Sequence, residues 1–306
     1  MTTINPVDIQ YSLIKETVPG TLPGAGNLLK IPVDSTGTLF NVDVDDLTSP
    51  VSRPQGDIDG ARRTNYRNAG NFALHLQQDA AIELLMSSAL RAAWTAGVIK
   101  GSNVDQPFSI EEKLAAAQFK RYLGNYATMM ELTCDFAGNA LLRFDILGMT
   151  AQTATTASSL AYSEPGVAQK LTGLDVGTAE IAGYAGIIFK NAVLRVGQPR
   201  EVQGRFGSAS AYGIGASGPR EVSLELTGYH EDLAPITALL GGAGDTPLAA
   251  TLTIGTAGNG FTFLLPKAVP STPKQAKEPS AIVNTIALRG IYDATEGTAI
   301  KITKLS

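Results

Sequence analysis

The chain has 306 residues, of which 44% are hydrophobic and 17% are charged, and its formal net charge is -4 at pH 7. An acidic balance argues against a protein that grips nucleic acid tightly, because such proteins carry an excess of Lys and Arg. The single cysteine excludes an intramolecular disulfide and a thiolate metal cage.

Low charge with abundant Gly, Ala and Thr is typical of a surface that neighbouring subunits cover. The N-terminus has no signal-peptide pattern, and no apolar run is long enough to span a membrane. We therefore expect a protein made in soluble form in a host cytoplasm, with one large domain or two of ordinary size.

The N-terminal region is predicted to be an arm followed by two strands. Residues 1–26 form the arm, because Pro and Gly close it and break regular structure. Strands are expected at 28–33 and 39–44. The second strand places Asp43 and Asp45 on one acidic face, since they alternate with valines.

Residues 46–69 show no hydrophobic periodicity and contain four arginines with several Pro and Gly. This composition predicts a long loop, which is either mobile and solvated or ordered against another subunit.

A strand followed by a helix is predicted next. Phe72, Leu74 and Leu76 alternate on one face of a strand, and Asp79 is placed to cap a helix over 79–93.

Further strands are expected at 108–114, within 119–136, which contains one or two, and at 141–148. Glu131 and Asp135 alternate with apolar residues, which indicates a half-buried antiparallel sheet. The Ala-, Thr- and Ser-rich segment 149–166 is predicted to be a linker.

The second half repeats the strand and helix. Glu221 and Glu225 alternate with apolar residues in a strand at 220–226, and Asp232 precedes a helical pattern over 232–240. Strand, cap and helix agree in order with the first half, which favours a duplicated domain. The remaining second-half elements are strands at 186–196, 251–254, 261–265, 282–292 and 300–302, with loops at 204–218 and 266–279.

Catalytic patterns are poor. Residues 213–218 match the dinucleotide spacing G-x-G-x-x-G, but a strand follows where a helix is required, so we reject that site. His75 and His230 lack ligand-type neighbours, and Cys134 alternates with core residues. A carboxylate pair assembled in space stays open at this point.

Six stretches follow one another in a recognisable order: residues 16–23, 46–57, 70–94, 108–113, 122–126 and 147–148. Their order resembles that in the tail tube proteins of long non-contractile-tailed bacteriophages. Within the first, Glu16 opens a motif in which Pro19 stands where an aromatic residue is usual. The resemblance covers residues 10–150 well and the second half in outline.

The resemblance implies a mainly β fold of two tandem β-sandwich or barrel domains, 1–165 and 166–306, each with one flanking helix. Subunit sheets would join into an inner β-barrel, and rings would stack into a tube in the virion tail. The family ring has six single-domain units, so two units per chain favour a trimer, with a hexamer as the alternative. Implied partners are further copies of the chain, tape-measure, tail terminator and tail tip proteins, and passing DNA. Neither a cofactor nor a membrane is implied.

Two sets of residues are predicted to act in assembly. Lumen-lining candidates are the acidic strand residues Asp43, Asp45, Glu131, Asp135, Glu221 and Glu225. Inter-ring candidates in the long loop are Arg53, Asp57, Arg62 and Arg63. The acidic faces could equally be ordinary solvated surfaces. The rival functions are a capsid-decorating or binding β protein and a glycan-active enzyme.

Overall fold

The structure is a computed structural model that describes residues 8–32, 39–49, 57, 60–166, 169–182, 187–229, 246–271 and 274–306. These residues form a mainly β protein with one α-helix, α1 (Ala80–Leu90), and a 3-10 turn at Gly173–Asp175. The strands of the first half are β1 (Gln10–Lys15), β2 (Asn27–Ile31), β3 (Leu39–Thr48), β4 (Ala61–His75), β5 (Val98–Lys100), β6 (Phe108–Ala115), β7 (Gln118–Asp135), β8 (Leu141–Gly148), β9 (Thr150–Ala154) and β10 (Ala161–Ser163). The strands of the second half are β11 (Val176–Ile181), β12 (Phe189–Gly197), β13 (Arg200–Gln203), β14 (Gly213–Ala216), β15 (Glu221–Tyr229), β16 (Leu248–Thr256), β17 (Asn259–Pro270), β18 (Lys274–Lys277), β19 (Ile282–Gly290) and β20 (Lys301–Lys304).

One long antiparallel ladder runs through both halves in the order β3–β4–β8–β7–β12–β15–β19. Beyond β19, the end of β17 and all of β18 pair with it. We call this set of strands the long ladder. Its residues alternate between buried apolar side chains and partly exposed polar ones, which is the pattern of a sheet with one packed face.

A second layer packs on the buried face of the long ladder. Its strands pair as β10–β2–β1–β6–β7–β9 and as β11–β16–β17–β20–β5. Aromatic rings join the layers: Tyr11 and Phe72 lie 5.6 Å apart, and Phe40 and Tyr122 lie 5.3 Å apart between centroids. Burial of such rings stabilises a sandwich by area and by edge-to-face contact.

Helix α1 begins where the sequence predicts. Asp79 is its N-cap, and the carboxylate accepts a hydrogen bond from the Ala81 N–H at 2.8 Å. The helix ends earlier than 93, because Arg91 adopts a left-handed conformation with φ 52°. Nine of its eleven residues are buried, so the helix lies in the core instead of flanking it. The second predicted helix, 232–240, lies outside the described residues.

The predicted arm 1–26 is wrong for residues 10–15. They form β1, which pairs with both β2 and β6 and buries Leu13 completely. Four consecutive buried residues give no alternating signal, which is why periodicity missed this strand.

The predicted loop 46–69 is also wrong over most of its described length. Residues 39–48 and 61–75 form a long β3–β4 hairpin, and Ser49 N–H bonds to the Gly60 carbonyl at 2.7 Å. The distal half of this hairpin is exposed or half-exposed on both faces, so its sequence lacks alternation. Arg53 lies outside the described residues.

The predicted linker 149–166 is a paired segment. Strand β9 pairs with β7, and β10 pairs with β2. The segment 119–136, expected to contain one or two strands, lies almost entirely in one strand, β7, and 108–114 and 141–148 are strands as predicted. The strands expected at 28–33 and 39–44 correspond to β2 and β3, which pair with other strands and not with each other.

The two halves share the sheet and the core. Residues 191–197 of β12 pair with 129–135 of β7, and one continuous hydrophobic cluster contains residues from both halves. The division expected at 165/166 therefore coincides with no break in the described ladder or core.

The same pairing scheme occurs in both halves. The chain of pairs β1–β6–β7–β9 is matched by β11–β16–β17–β20. The chain β3–β4–β8–β7 is matched by β12–β15–β19–β17. Strands β4 and β15, which carry the two copies recognised in the sequence, thus occupy equivalent places in the strand order.

Candidate assembly surfaces

The polar face of the long ladder brings together most of the predicted lumen residues. Glu131 and Asp135 on β7 and Glu221 and Glu225 on β15 share this face, since all alternate with buried residues. Asp43 on β3 shares this face too. It lies directly opposite Arg67 on β4, and Arg67 alternates along β4 with the buried Asn68. Five strand positions that are far apart in sequence therefore lie on one surface.

This face is less acidic than the sequence predicts, because arginines lie among the carboxylates. Arg195 Nε donates to Glu131 Oε2 at 2.5 Å, and its Nη1 lies 3.8 Å from Glu225 Oε2. Arg143 pairs with Asp145 at 3.1 Å. Seven carboxylates, four guanidinium groups and one ammonium group lie on or over the face: Asp43, Asp45, Asp135, Asp145, Glu131, Glu221 and Glu225 against Arg67, Arg143, Arg195, Arg289 and Lys274.

The acidic candidates therefore lie on a mixed face with an excess of carboxylates. The candidate set itself named acidic positions alone and included none of these arginines. The same alternation could have found them: Arg195 lies between buried Leu194 and Val196. Exposed cross-strand pairs of this kind are worth about 0.2–1 kcal/mol each, so they set the surface charge more than the stability.

Asp45 lies past an irregularity in the β3–β4 register that separates it from Asp43. Its carboxylate accepts hydrogen bonds from Asn65 Nδ2 at 2.6 Å and from Arg67 Nη1 at 3.0 Å. The Asn65 and Arg67 hydrogen bonds hold the pKa of Asp45 below its usual range. Asp45 therefore stays ionised and is engaged within its own hairpin.

The inter-ring candidates that the structure describes, Asp57, Arg62 and Arg63, lie at the distal end of the β3–β4 hairpin. Arg62 and Arg63 are exposed and lie opposite Leu47 and Asp46, and Asp57 is exposed. Leu47 is itself 64% exposed, which is unusual for a large apolar residue on a strand. The hairpin end is therefore a polar surface with an exposed apolar side chain.

A buried carboxylate ties the turn that follows β1 to strands β6 and β7. Glu16 is 2% exposed and accepts hydrogen bonds from Gly20 N–H, Ser109 Oγ and Gly124 N–H at 2.7, 2.5 and 2.8 Å. Burial raises the pKa of Glu16, while the three hydrogen bonds oppose that shift. The residue that opens the sequence motif is thus a structural anchor.

A second buried polar cluster joins the halves. The Asp105 carboxylate accepts from Arg91 Nε and from Arg200 Nη2, each at 2.8 Å. The Arg200 guanidinium lies 4.5 Å from the centroid of the Tyr126 ring. Arg220 donates to the Leu90 carbonyl at 2.8 Å, and burial, with Arg91 and Arg200 nearby, lowers the pKa of Arg220 to about 10. Each member has at least one of these partners, while Arg200 Nε and Nη1 and Arg220 Nε are buried without a hydrogen bond, and the cluster holds elements of both halves together.

The described residues contain no cluster of His, Cys, Asp and Glu that could hold a metal ion. Gly213 and Gly215 lie in the β13–β14 hairpin, which cannot present amide groups at a helix N-terminus. Cys134 is buried as predicted, and burial raises the pKa of its thiol to about 11. None of the helices described here is both long and apolar enough to cross a membrane.

The described residues thus define a mainly β protein with a charged sheet face. A family model described as phage tail tube protein matches residues 7–290, so the chain belongs to the phage tail tube protein family. The family resemblance seen in the sequence is confirmed. No curated protein matches the sequence. The chain is therefore a structural component of a virion tail that assembles into a tube.

Proposed function

We propose that this chain forms the tube of a long non-contractile, siphovirus-type tail. The tube would hold the tape-measure protein during assembly and conduct DNA during ejection, with tail terminator and tail tip proteins at its ends. The observation that carries the proposal is the repeated pairing scheme. Two equivalent units in one chain would supply two equivalent segments of the wall of a closed barrel.

Three chains would close one ring. Two tail-tube-like units per chain, 1–165 and 166–306, give six units around the axis, and the sheets would join into one inner β-barrel. Closure would also remove sheet edges that otherwise invite aggregation. Mass measurement of a single ring tests the stoichiometry: three chains support it, and six chains show that only one half of each chain forms the wall.

The polar face of the long ladder would line the lumen. DNA must pass without being held, and each unpaired Lys or Arg would attract a phosphate. In this face the arginines are held by carboxylates, as Arg195 is by Glu131, and the excess carboxylates repel the backbone at short range.

Charge reversal tests the lumen assignment. The double variant Glu131→Lys and Glu225→Lys should form normal tubes but slow DNA ejection, with partial recovery in high salt. Glu180→Lys is the matched control, because Glu180 is exposed on β11 in the other layer. Equal slowing by both variants would show that the effect is not confined to the lumen.

The distal end of the β3–β4 hairpin, with Arg53, Asp57, Arg62 and Arg63, would contact the next ring. The hydrogen bond between Ser49 and Gly60 brings the ends of the intervening segment together, so a short linker can replace residues 50–59 without opening the strands. This variant should give rings that do not stack. Normal tubes from it, seen by negative-stain microscopy, would refute the stacking role.

A further inference from the structure

We infer that β3 of one chain pairs antiparallel with β18 of the next chain, in the register that β12 and β7 use within one chain. This inference rests on the proposed ring. In the described part of the chain, β3 pairs with β4 alone, and β18 pairs with β19 alone. These two strands lie at opposite ends of the long ladder, so each presents an edge to a second copy.

The contact between β7 and β12 is the internal template. There β12, the second unit's first strand in the long ladder, pairs with the last part of β7, from Asn191 opposite Asp135 to Gly197 opposite Met129. In the repeated pairing scheme, β3 is the counterpart of β12, and the end of β17 with β18 is the counterpart of the end of β7. The chain therefore already contains one copy of the junction that a ring must repeat.

Two independent features align the units in the same register. The β3–β4 ladder becomes irregular directly after Asp43 opposite Arg67, and the β12–β15 ladder ends at Gly197 opposite Glu221. This matches Asp43 with Gly197.

The returning strands give the same answer. Gly148 ends β8 opposite Asn68, and Gly290 ends β19 opposite Val222. If the two glycines are equivalent, their partners Asn68 and Val222 are equivalent too. The first match made Arg67 equivalent to Glu221, one residue earlier in each strand, so the two matches agree. The register of the template therefore transfers to the open edges without adjustment.

Burial of the matched residues shows where the missing strand belongs. Val196 on β12 is 1% exposed, and its register partner on β7 is Met130. Its counterpart on β3 is Val42, which is 48% exposed. In the template register Gln275 lies opposite Phe40 and diagonal to Val42, so β18 would lie beside Val42 and reduce its exposure.

Charge complements the two edges. Strand β18 begins with exposed Lys274, and exposed Asp43 lies on the same polar face of β3. In the template register Asn41 lies opposite Lys274, the position that Arg195 and Glu131 occupy within the chain. Asp43 is then diagonal to Lys274, within reach of a long side chain.

A cysteine pair tests the register. Asn41→Cys with Lys274→Cys, in a Cys134→Ala background, should cross-link neighbouring chains in oxidised rings, because directly opposed residues lie about 4.5–5.5 Å apart between Cα atoms. Denaturing gels should show a ladder that ends at the ring stoichiometry. The matched control joins Asn41→Cys to Lys277→Cys, three residues out of register and on the other face, and should stay monomeric.

Exchanging the charges of Asp43 and Lys274 tests whether β3 and β18 are the strands that meet. These variants retain Cys134. Asp43→Lys or Lys274→Asp should each raise the protein concentration needed for half-assembly by about two- to tenfold, as expected for one cross-strand pair per junction. The double exchange should restore the wild-type value.

The outcomes separate this inference from the proposed function. If the wild-type chain forms rings but the in-register cysteine pair does not cross-link, the β3–β18 contact is wrong. Equal cross-linking of the in-register pair and the control pair has the same meaning. Either result leaves the tube function standing. A wild-type chain that forms neither rings nor tubes removes the proposed function, and this inference falls with it.

Discussion

Replacing Glu16 by Ala should destabilise the subunit. Three donors point at its carboxylate: Gly20 N–H, Ser109 Oγ and Gly124 N–H. A buried donor that loses its acceptor costs about 1–3 kcal/mol. The Ser109 hydroxyl can rotate, and Gly20 is near solvent, so we expect a total loss of about 3 kcal/mol, a sizeable part of the 5–15 kcal/mol typical of a domain.

The conservative variant Glu16→Gln separates charge from hydrogen bonding. It keeps one acceptor oxygen, so it should lose about 1 kcal/mol near pH 4.5. Because burial raises the pKa of Glu16 in the folded state, its contribution to the unfolding free energy is greatest below the ordinary value of 4.5 and declines as pH rises through the folded pKa. The stability difference between wild type and Glu16→Gln should therefore shrink as pH rises.

Urea unfolding of both variants and wild type, followed by tryptophan fluorescence from pH 4 to 8, measures these differences. A loss below about 0.5 kcal/mol for Glu16→Ala would mean that water replaces the carboxylate at all three donors. A difference between wild type and Glu16→Gln that grows with pH would show that the hydrogen bonds outweigh burial, and would refute the stated cause of the pKa shift.

Three further variants or probes test other parts of the fold. Asp79→Ala should cost about 1 kcal/mol by removing the cap of α1, measured by urea unfolding, with exposed Asp57→Ala as a control that should change nothing. Arg200→Ala should cost about 2–4 kcal/mol, because it strips a buried partner from Asp105, and an unchanged unfolding midpoint would contradict that role. Cys134, whose thiol pKa burial raises to about 11, should resist a thiol reagent at pH 8 until the chain is unfolded; fast labelling of the native subunit would contradict its burial.

Local pattern alone determined much of the fold. Strict alternation in 141–148 predicted β8, with Leu142, Phe144 and Ile146 on the buried face. Asp79 followed by helical spacing predicted α1. Both predictions succeed because the spacing of apolar residues along a strand or a helix identifies its buried face, whichever neighbour covers that face.

Only the tertiary structure decided which strands meet. Nothing near β12 in sequence indicates that it pairs with β7, although that contact places Arg195 on Glu131 and turns an acidic face into a mixed one. The hairpin end at 45–48 and 61–64 lacks a buried face, so its own sequence carries no strand period. Strand β1 is buried on both faces, so its alternation disappears too. The spacing of apolar residues shows which side chains of one segment face the core and which face solvent. Strand pairing depends also on the edges of other segments, and those edges exist only once the sheet has formed.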